Sequence, residues 1–171
     1  SRSGLVLMNR HVAEPWWKEK ATEELTRRGF RPKLTLLRIF FPSVAEPFDL
    51  TVVRVSNEAD VALARVKLGK EPVPVLELDP RGDAVVSGQP VVLLGYPAGI
   101  DALLARLDEA AAQAVMTASG TNGESLALTL SRRRMIRPLA TQGHLGDVLP
   151  AQLVYDAPTT VGSSGGPVFN S

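Results

Sequence analysis

TTVGSSGGPVFN, residues 159–170, puts three glycines, two adjacent serines and a proline into one short run. A serine hydroxyl is a weak nucleophile until a base takes its proton and backbone donors receive the oxyanion formed when it attacks a carbonyl. Glycine supplies what such a site needs. Gly162, Gly165 and Gly166 can adopt positive φ, aim backbone amides and let a substrate chain come close. A plain glycine–serine turn is the competing reading. Pro167 stops a helix from continuing, which disfavours the strand-to-helix Gly-x-Ser-x-Gly elbow of an esterase. Whether the hydroxyls do chemistry depends on a base and a carboxylate elsewhere in the chain.

Two segments supply them. GLVLMNRHVAE (4–14) carries His11 directly after a short apolar strand, and SNEADVALARV (56–66) carries Asp60 directly before another. Taken singly, each residue reads more simply as a surface or turn residue.

Together the three segments resemble the trypsin-like (chymotrypsin-fold) serine peptidase superfamily, and within it the bacterial Do/HtrA-like branch. LVLMNRHVA is similar to that branch's Thr-Asn-Arg-His-Val segment, with Met8 in place of the threonine. ADVALARV is similar to its Asp-(Ile/Leu/Val)-Ala-(Leu/Val) strand. YDAPTTVGSSGGPVFN is similar to its Thr-Asp-Ala…Gly-Asn-Ser-Gly-Gly-Pro segment, and the chain order His, Asp, Ser is that of chymotrypsin-like enzymes. The resemblance implies that Ser164 is the nucleophile, His11 the general base and acid, and Asp60 the group that orients the ring. It implies an oxyanion hole from the backbone N–H groups of Gly162 and Ser164. Ser163 stands where activated zymogens carry an aspartate, so activation by a new N-terminus is not expected. Pro158 stands where trypsin-like members carry an acid, so the specificity pocket, read as Pro158, Thr159 and Val161, is expected to take an apolar rather than a basic side chain. TQGHLGDV resembles a further family strand, and His144 within it is expected at the surface.

The bulk numbers are those of a globular protein. The chain has 171 residues, 44% of them apolar and 22% charged, with a formal net charge of +1, which leaves no global footprint for nucleic acid. No apolar run approaches the roughly 18–20 residues that span a bilayer, so no membrane contact is expected from this segment. Cysteine is absent, which removes thiolate chemistry, and the two histidines lie far apart in sequence, so neither a metal nor a cofactor is expected.

Runs of β-branched and leucine residues predict strands at 5–8, 33–41, 49–56, 61–66, 73–78, 90–95, 125–130 and 152–156. Two helices interrupt them. The first, at 14–29, has Pro15 in its opening turn, Trp17, Ala21 and Leu25 at four-residue spacing, and Gly29 as its cap. The second, at 101–116, opens on Asp101. The SRRRMIR run (131–137) reads as a solvated segment.

The expected fold is therefore all-β: the double six-stranded β-barrel of trypsin-like serine proteases, incomplete at both ends of this chain, with two helical insertions. The first lobe is expected at 1–85 and the second at 86–171, truncated after the nucleophile segment. The expected activity is serine endopeptidase action on a polypeptide substrate. The alternative is a silent or conditionally activated module that binds peptides or partner proteins. The 101–137 insertion falls where the resemblance places a variable regulatory loop; it reads either as a decorative insertion or as a lid or surface that meets a regulator or a second copy of the chain. The resemblance implies an extracytoplasmic (periplasmic or secreted) compartment.

Overall fold

The computed structural model describes residues 1, 3–42, 44–69, 73–81, 85–150 and 152–170. They form two compact units, one of residues 1–41 and 46–75, the other of 42–45 and 76–171. The expected lobe junction at 85/86 adjoins 82–84, which lie outside the described residues.

The first unit is built on strands β1 (Leu5–Met8), β2 (Arg38–Ile39), β3 (Phe48–Val55) and β4 (Ala62–Val66). They form an antiparallel sheet in the order β1-β4-β3-β2. Inward positions of β4 alternate, so Ala62, Ala64 and Val66 are buried, as the strand period requires. Register then places the chemistry. Met8, last in β1, pairs with Ala62, first in β4, so the residues after β1 and those before β4 emerge at the same end of the sheet. His11 comes after β1, on the short helix α1 (Arg10–Ala13), and Asp60 precedes β4.

Only part of the expected 14–29 helix forms. Lys18 adopts φ +58, which a continuous helix cannot accommodate, and helix α2 (Lys20–Arg27) starts beyond it. Trp17 is left in the preceding turn, its ring facing the Arg10 guanidinium at 4.9 Å and the Lys18 ammonium at 4.3 Å. The cap is where expected: Gly29 at φ +92 lets the Phe30 N–H reach back to the Leu25 carbonyl at 3.1 Å. Of the expected 33–41 strand only β2 pairs, with Phe48 and Asp49. The expected 73–78 strand is corrected too. Its residues have no strand partner among the described residues, and Leu76 and Leu78 are 51% and 73% exposed, so the alternation there buries nothing.

Strands β5 (Pro90–Gly95), β6 (Leu139–Leu149), β7 (Gln152–Tyr155) and β8 (Val168–Asn170) make the second unit's sheet, in the order β7-β6-β5-β8. Each unit therefore carries a four-stranded antiparallel sheet among the described residues, which is less than the double six-stranded barrel, incomplete at both ends, that was expected.

Between β5 and β6 lie three helices, α3 (Gly99–Ala105), α4 (Glu109–Ser119) and α5 (Gly123–Arg132), in place of the single helix expected at 101–116. Asp101 is not the cap, because α3 begins at Gly99 after Ala98 in the left-handed region. The capping aspartate is Asp108, whose carboxylate accepts the Ala111 N–H at 2.8 Å and starts α4.

The 125–130 segment is helix, not strand. Leu126 and Leu130, four apart, are buried on one face, and the Asn122 side-chain oxygen accepts the Ser125 N–H at 3.0 Å. Ser119 Oγ donates to Thr129 Oγ1 at 2.6 Å and ties α4 to α5. In the 131–137 run the arginines are exposed as expected, while Ser131 and Ile136 are buried. Ser131 Oγ donates to the Val44 carbonyl at 3.1 Å, which fastens residue 44 to the helices. Asn122→Ala should remove the α5 cap and lower unfolding free energy by about 1 kcal/mol, read by urea denaturation. An unchanged value would show that the cap does not hold α5.

Candidate active site

The first unit brings His11 and Asp60 into contact. His11 Nδ1 lies 2.6 Å from Asp60 Oδ2, and the His11 backbone N–H donates to Asp60 Oδ1 at 2.9 Å. Burial by itself would raise the Asp60 carboxyl. The hydrogen bonds from the His11 amide, the His11 ring and the Asn9 carboxamide, with the imidazole's charge, outweigh it and hold Asp60 below its ordinary value. Asp60 is therefore an anion at neutral pH and can only accept, so the proton in the 2.6 Å contact sits on His11 Nδ1. In the neutral ring that leaves Nε2 as the basic nitrogen.

The loop that carries Asp60 is held from both sides. Ser56 Oγ accepts the N–H groups of Glu58 and Ala59 at 3.2 and 3.1 Å, folding the turn after β3. Arg10 Nη1 donates to the Ser56 carbonyl at 2.6 Å while its Nε pairs with Glu14 at 2.7 Å. Asn9 Nδ2 donates to the Asp60 carbonyl at 3.2 Å and to Oδ2 at 3.1 Å. Sequence reasoning gave neither Asn9 nor Arg10 a role. The available signal was their position directly before the histidine, at the end of a strand.

The second unit holds the other predicted residues. Leu93 of β5 pairs with Val168 of β8, so the segment before β8 and the segment after β5 leave the sheet at one end. Around Ser164 the chain turns tightly: the Gly166 N–H donates to the Ser163 carbonyl at 2.9 Å, and Gly165 sits at φ +78. Ser163 uses its own N–H on the Thr160 carbonyl at 3.1 Å.

Gly162 is at φ +95, and a Cβ there would run into the Tyr96 carbonyl and come within 3.0 Å of the Gly99 nitrogen. The loop is also fastened to the start of the helical insertion, because the Ala98 N–H donates to the Val161 carbonyl at 2.6 Å. Gly162→Ala should cost about 1–3 kcal/mol of stability and reduce reactivity at Ser164, since the loop must shift to admit the methyl group. An unchanged melting temperature would contradict this reading of the loop.

Of the three residues read as a specificity pocket, Pro158 lines a groove of about 580 Å³ together with Val91, Val92, Phe169, His144 and Asp156. Thr159 and Val161 do not line it, and Val161 is 87% exposed. His144 lies on β6 with its side chain exposed, as expected. Its backbone N–H donates to Asp156 Oδ1 at 2.6 Å, a contact that leaves its ring uninvolved. Among the described residues no group of three or more His, Asp or Glu is placed to hold a metal. No described helix is long and apolar enough to cross a membrane.

No curated protein matches the chain. A family model does, over residues 1–171: the trypsin-like peptidase domain. That family supports a serine-protease type of function. Since the match runs the full length of the sequence, the chain belongs to the trypsin-like peptidase domain family.

Proposed function

We propose that the chain is a serine endopeptidase with Ser164 as nucleophile, His11 as general base and acid, and Asp60 as the carboxylate that orients the ring. The observation that carries this reading is the His11–Asp60 contact, with the proton on Nδ1 and the basic nitrogen at Nε2. In the acylation step Nε2 takes the Ser164 hydroxyl proton as Oγ attacks the scissile carbonyl. The backbone N–H groups of Gly162 and Ser164 receive the oxyanion. Nε2 then returns the proton to the leaving amine, and a water molecule, activated by the same nitrogen, cleaves the acyl-enzyme to release the acid.

The substrate is a polypeptide with an apolar side chain before the cut bond; Pro158, Val91, Val92 and Phe169 in the groove support this, and the one carboxylate there, Asp156, already accepts the His144 amide. The Asn-Arg-His and Gly-Ser-Ser-Gly-Gly-Pro segments favour the Do/HtrA-like branch. Control of access to Ser164 falls to the 101–137 insertion, and the bond from Ala98 to Val161 supports that assignment.

The test is labelling of the whole protein with a fluorophosphonate, located by peptide mass spectrometry. Label on Ser164 that disappears in the His11→Ala variant supports the assignment. Label on another residue, or none on folded protein, overturns it.

A further inference from the structure

Asn9 occupies the residue before α1, where an asparagine ordinarily turns its side-chain oxygen onto the amides of the first helical turn. Here it makes no such cap bond. The N–H groups of Val12 and Ala13 reach its backbone carbonyl instead, at 3.3 and 3.4 Å. Its side-chain nitrogen has two hydrogens and meets two acceptors, the Asp60 carbonyl at 3.2 Å and Asp60 Oδ2 at 3.1 Å. Oδ2 is the same oxygen that His11 Nδ1 approaches at 2.6 Å.

We propose that Asn9 is a positioning residue for the His11–Asp60 pair, its carboxamide holding the Asp60 carboxylate in the rotation that presents Oδ2 to the ring. This rests on the reading of His11 as the general base. The terminal torsion of an aspartate is soft, so a carboxylate held by one partner alone can swing. Two different donors on Oδ2, with the His11 amide on Oδ1, fix both oxygens in the plane the ring needs. Asn9 also grips the Asp60 main chain, while Arg10 grips Ser56 at the other end of the same loop. Consecutive residues 9, 10 and 11 thus each hold the 56–60 loop. The charged group acting on Asp60 is His11 itself.

The deciding variant is Asn9→Asp in the full chain. Aspartate is as good as asparagine at the start of a helix, so a role confined to capping α1 predicts unchanged behaviour. A positioning Asn9 predicts a loss, because aspartate cannot donate and sets a second carboxylate against Asp60. The expected result is a fall of about 10- to 100-fold in kcat/KM, carried by kcat, with the acid limb of the profile moved to higher pH. The ring proton resonance of His11 Nδ1 and the His11 titration, both followed by NMR, should move as well.

Asn9→Ser, which brings a hydroxyl able to cap α1 but lacks the reach to Asp60, should show the same fall in kcat, and it decides the matter if the aspartate variant does not fold. Superimposable pH profiles and His11 resonances in a folded variant overturn the proposal. If the wild-type protein hydrolyses nothing and takes no fluorophosphonate, the peptidase reading fails, and the His11 resonances alone decide Asn9. A shift in the variant supports positioning, and no shift overturns it.

Discussion

Ser164→Ala is expected to lower kcat/KM on a peptide substrate by on the order of a millionfold, the size of loss seen when the nucleophile is removed from a triad that acts as a unit. The variant loses the oxygen that forms the acyl bond. What remains is the modest rate supplied by the oxyanion donors and by substrate binding. The fold should not suffer, because the turn around Ser164 is closed by backbone groups of Ser163 and Gly166, and the left-handed position in it belongs to Gly165. KM should change little. Adding His11→Ala to the serine variant should cost almost nothing more, since two members of one machine do not contribute additively. Ser163→Ala, one residue earlier, should keep ordinary activity. The measurement is initial rates on a peptide substrate, with circular dichroism as the folding control. Ordinary turnover by the Ser164 variant, or loss caused by Ser163→Ala instead, would sink the assignment.

The candidate site residues could be picked out in the sequence because chemistry constrains short sequences tightly. A strand that delivers a histidine, an aspartate that opens onto a strand and a glycine-lined serine each leave a local pattern, and the β1–β4 register shows how distant segments meet. Strands β1, β3, β4, β5 and β7 were legible for a similar reason, as β-branched or leucine runs, and β4 and β5 also bury alternate positions. Strand β6 was legible only through family resemblance, since LATQGHLGDVL interrupts its apolar residues with Gly143 and Gly146.

The helical insertion misled in the opposite sense. Leu126, Leu128 and Leu130 alternate as in a strand, yet positions 126 and 130 also lie on one helical face, and periodicity over six residues cannot separate the two. The cap at Asn122 decides it, and in sequence that asparagine reads as an ordinary turn. Asn9 was invisible for a different reason. Its partner is 51 residues away, and only the folded loop shows that its amide is used on Asp60.

Asp60→Asn should leave the fold in place and still cost about 10⁴-fold in kcat, for a reason that lies in the proton inventory. Asp60 accepts three donors: the His11 amide on Oδ1, and the His11 ring and the Asn9 carboxamide on Oδ2. An asparagine that keeps its oxygen on the His11 amide must turn its own N–H₂ toward the ring and toward Asn9. Two donors then face each other at Asn9, and the ring answers a donor by carrying its proton on Nε2, the nitrogen that should be basic.

Stability should respond less than rate, because Asp60 is about one-third exposed and water screens the pair. Its pH dependence has a definite sign. The folded carboxyl lies below its ordinary value near 3.8, so the ionised form contributes stability above that pH and the contribution is lost as pH falls through the folded value. The difference in unfolding free energy between wild type and Asp60→Asn should therefore be flat across neutral pH and close at more acid pH. Urea denaturation along a pH series reads the second effect, and single-turnover acylation reads the first. A variant that acylates at the wild-type rate would remove Asp60 from the mechanism, and a stability gap that persisted below the folded titration would show that its ionisation is not what holds the loop.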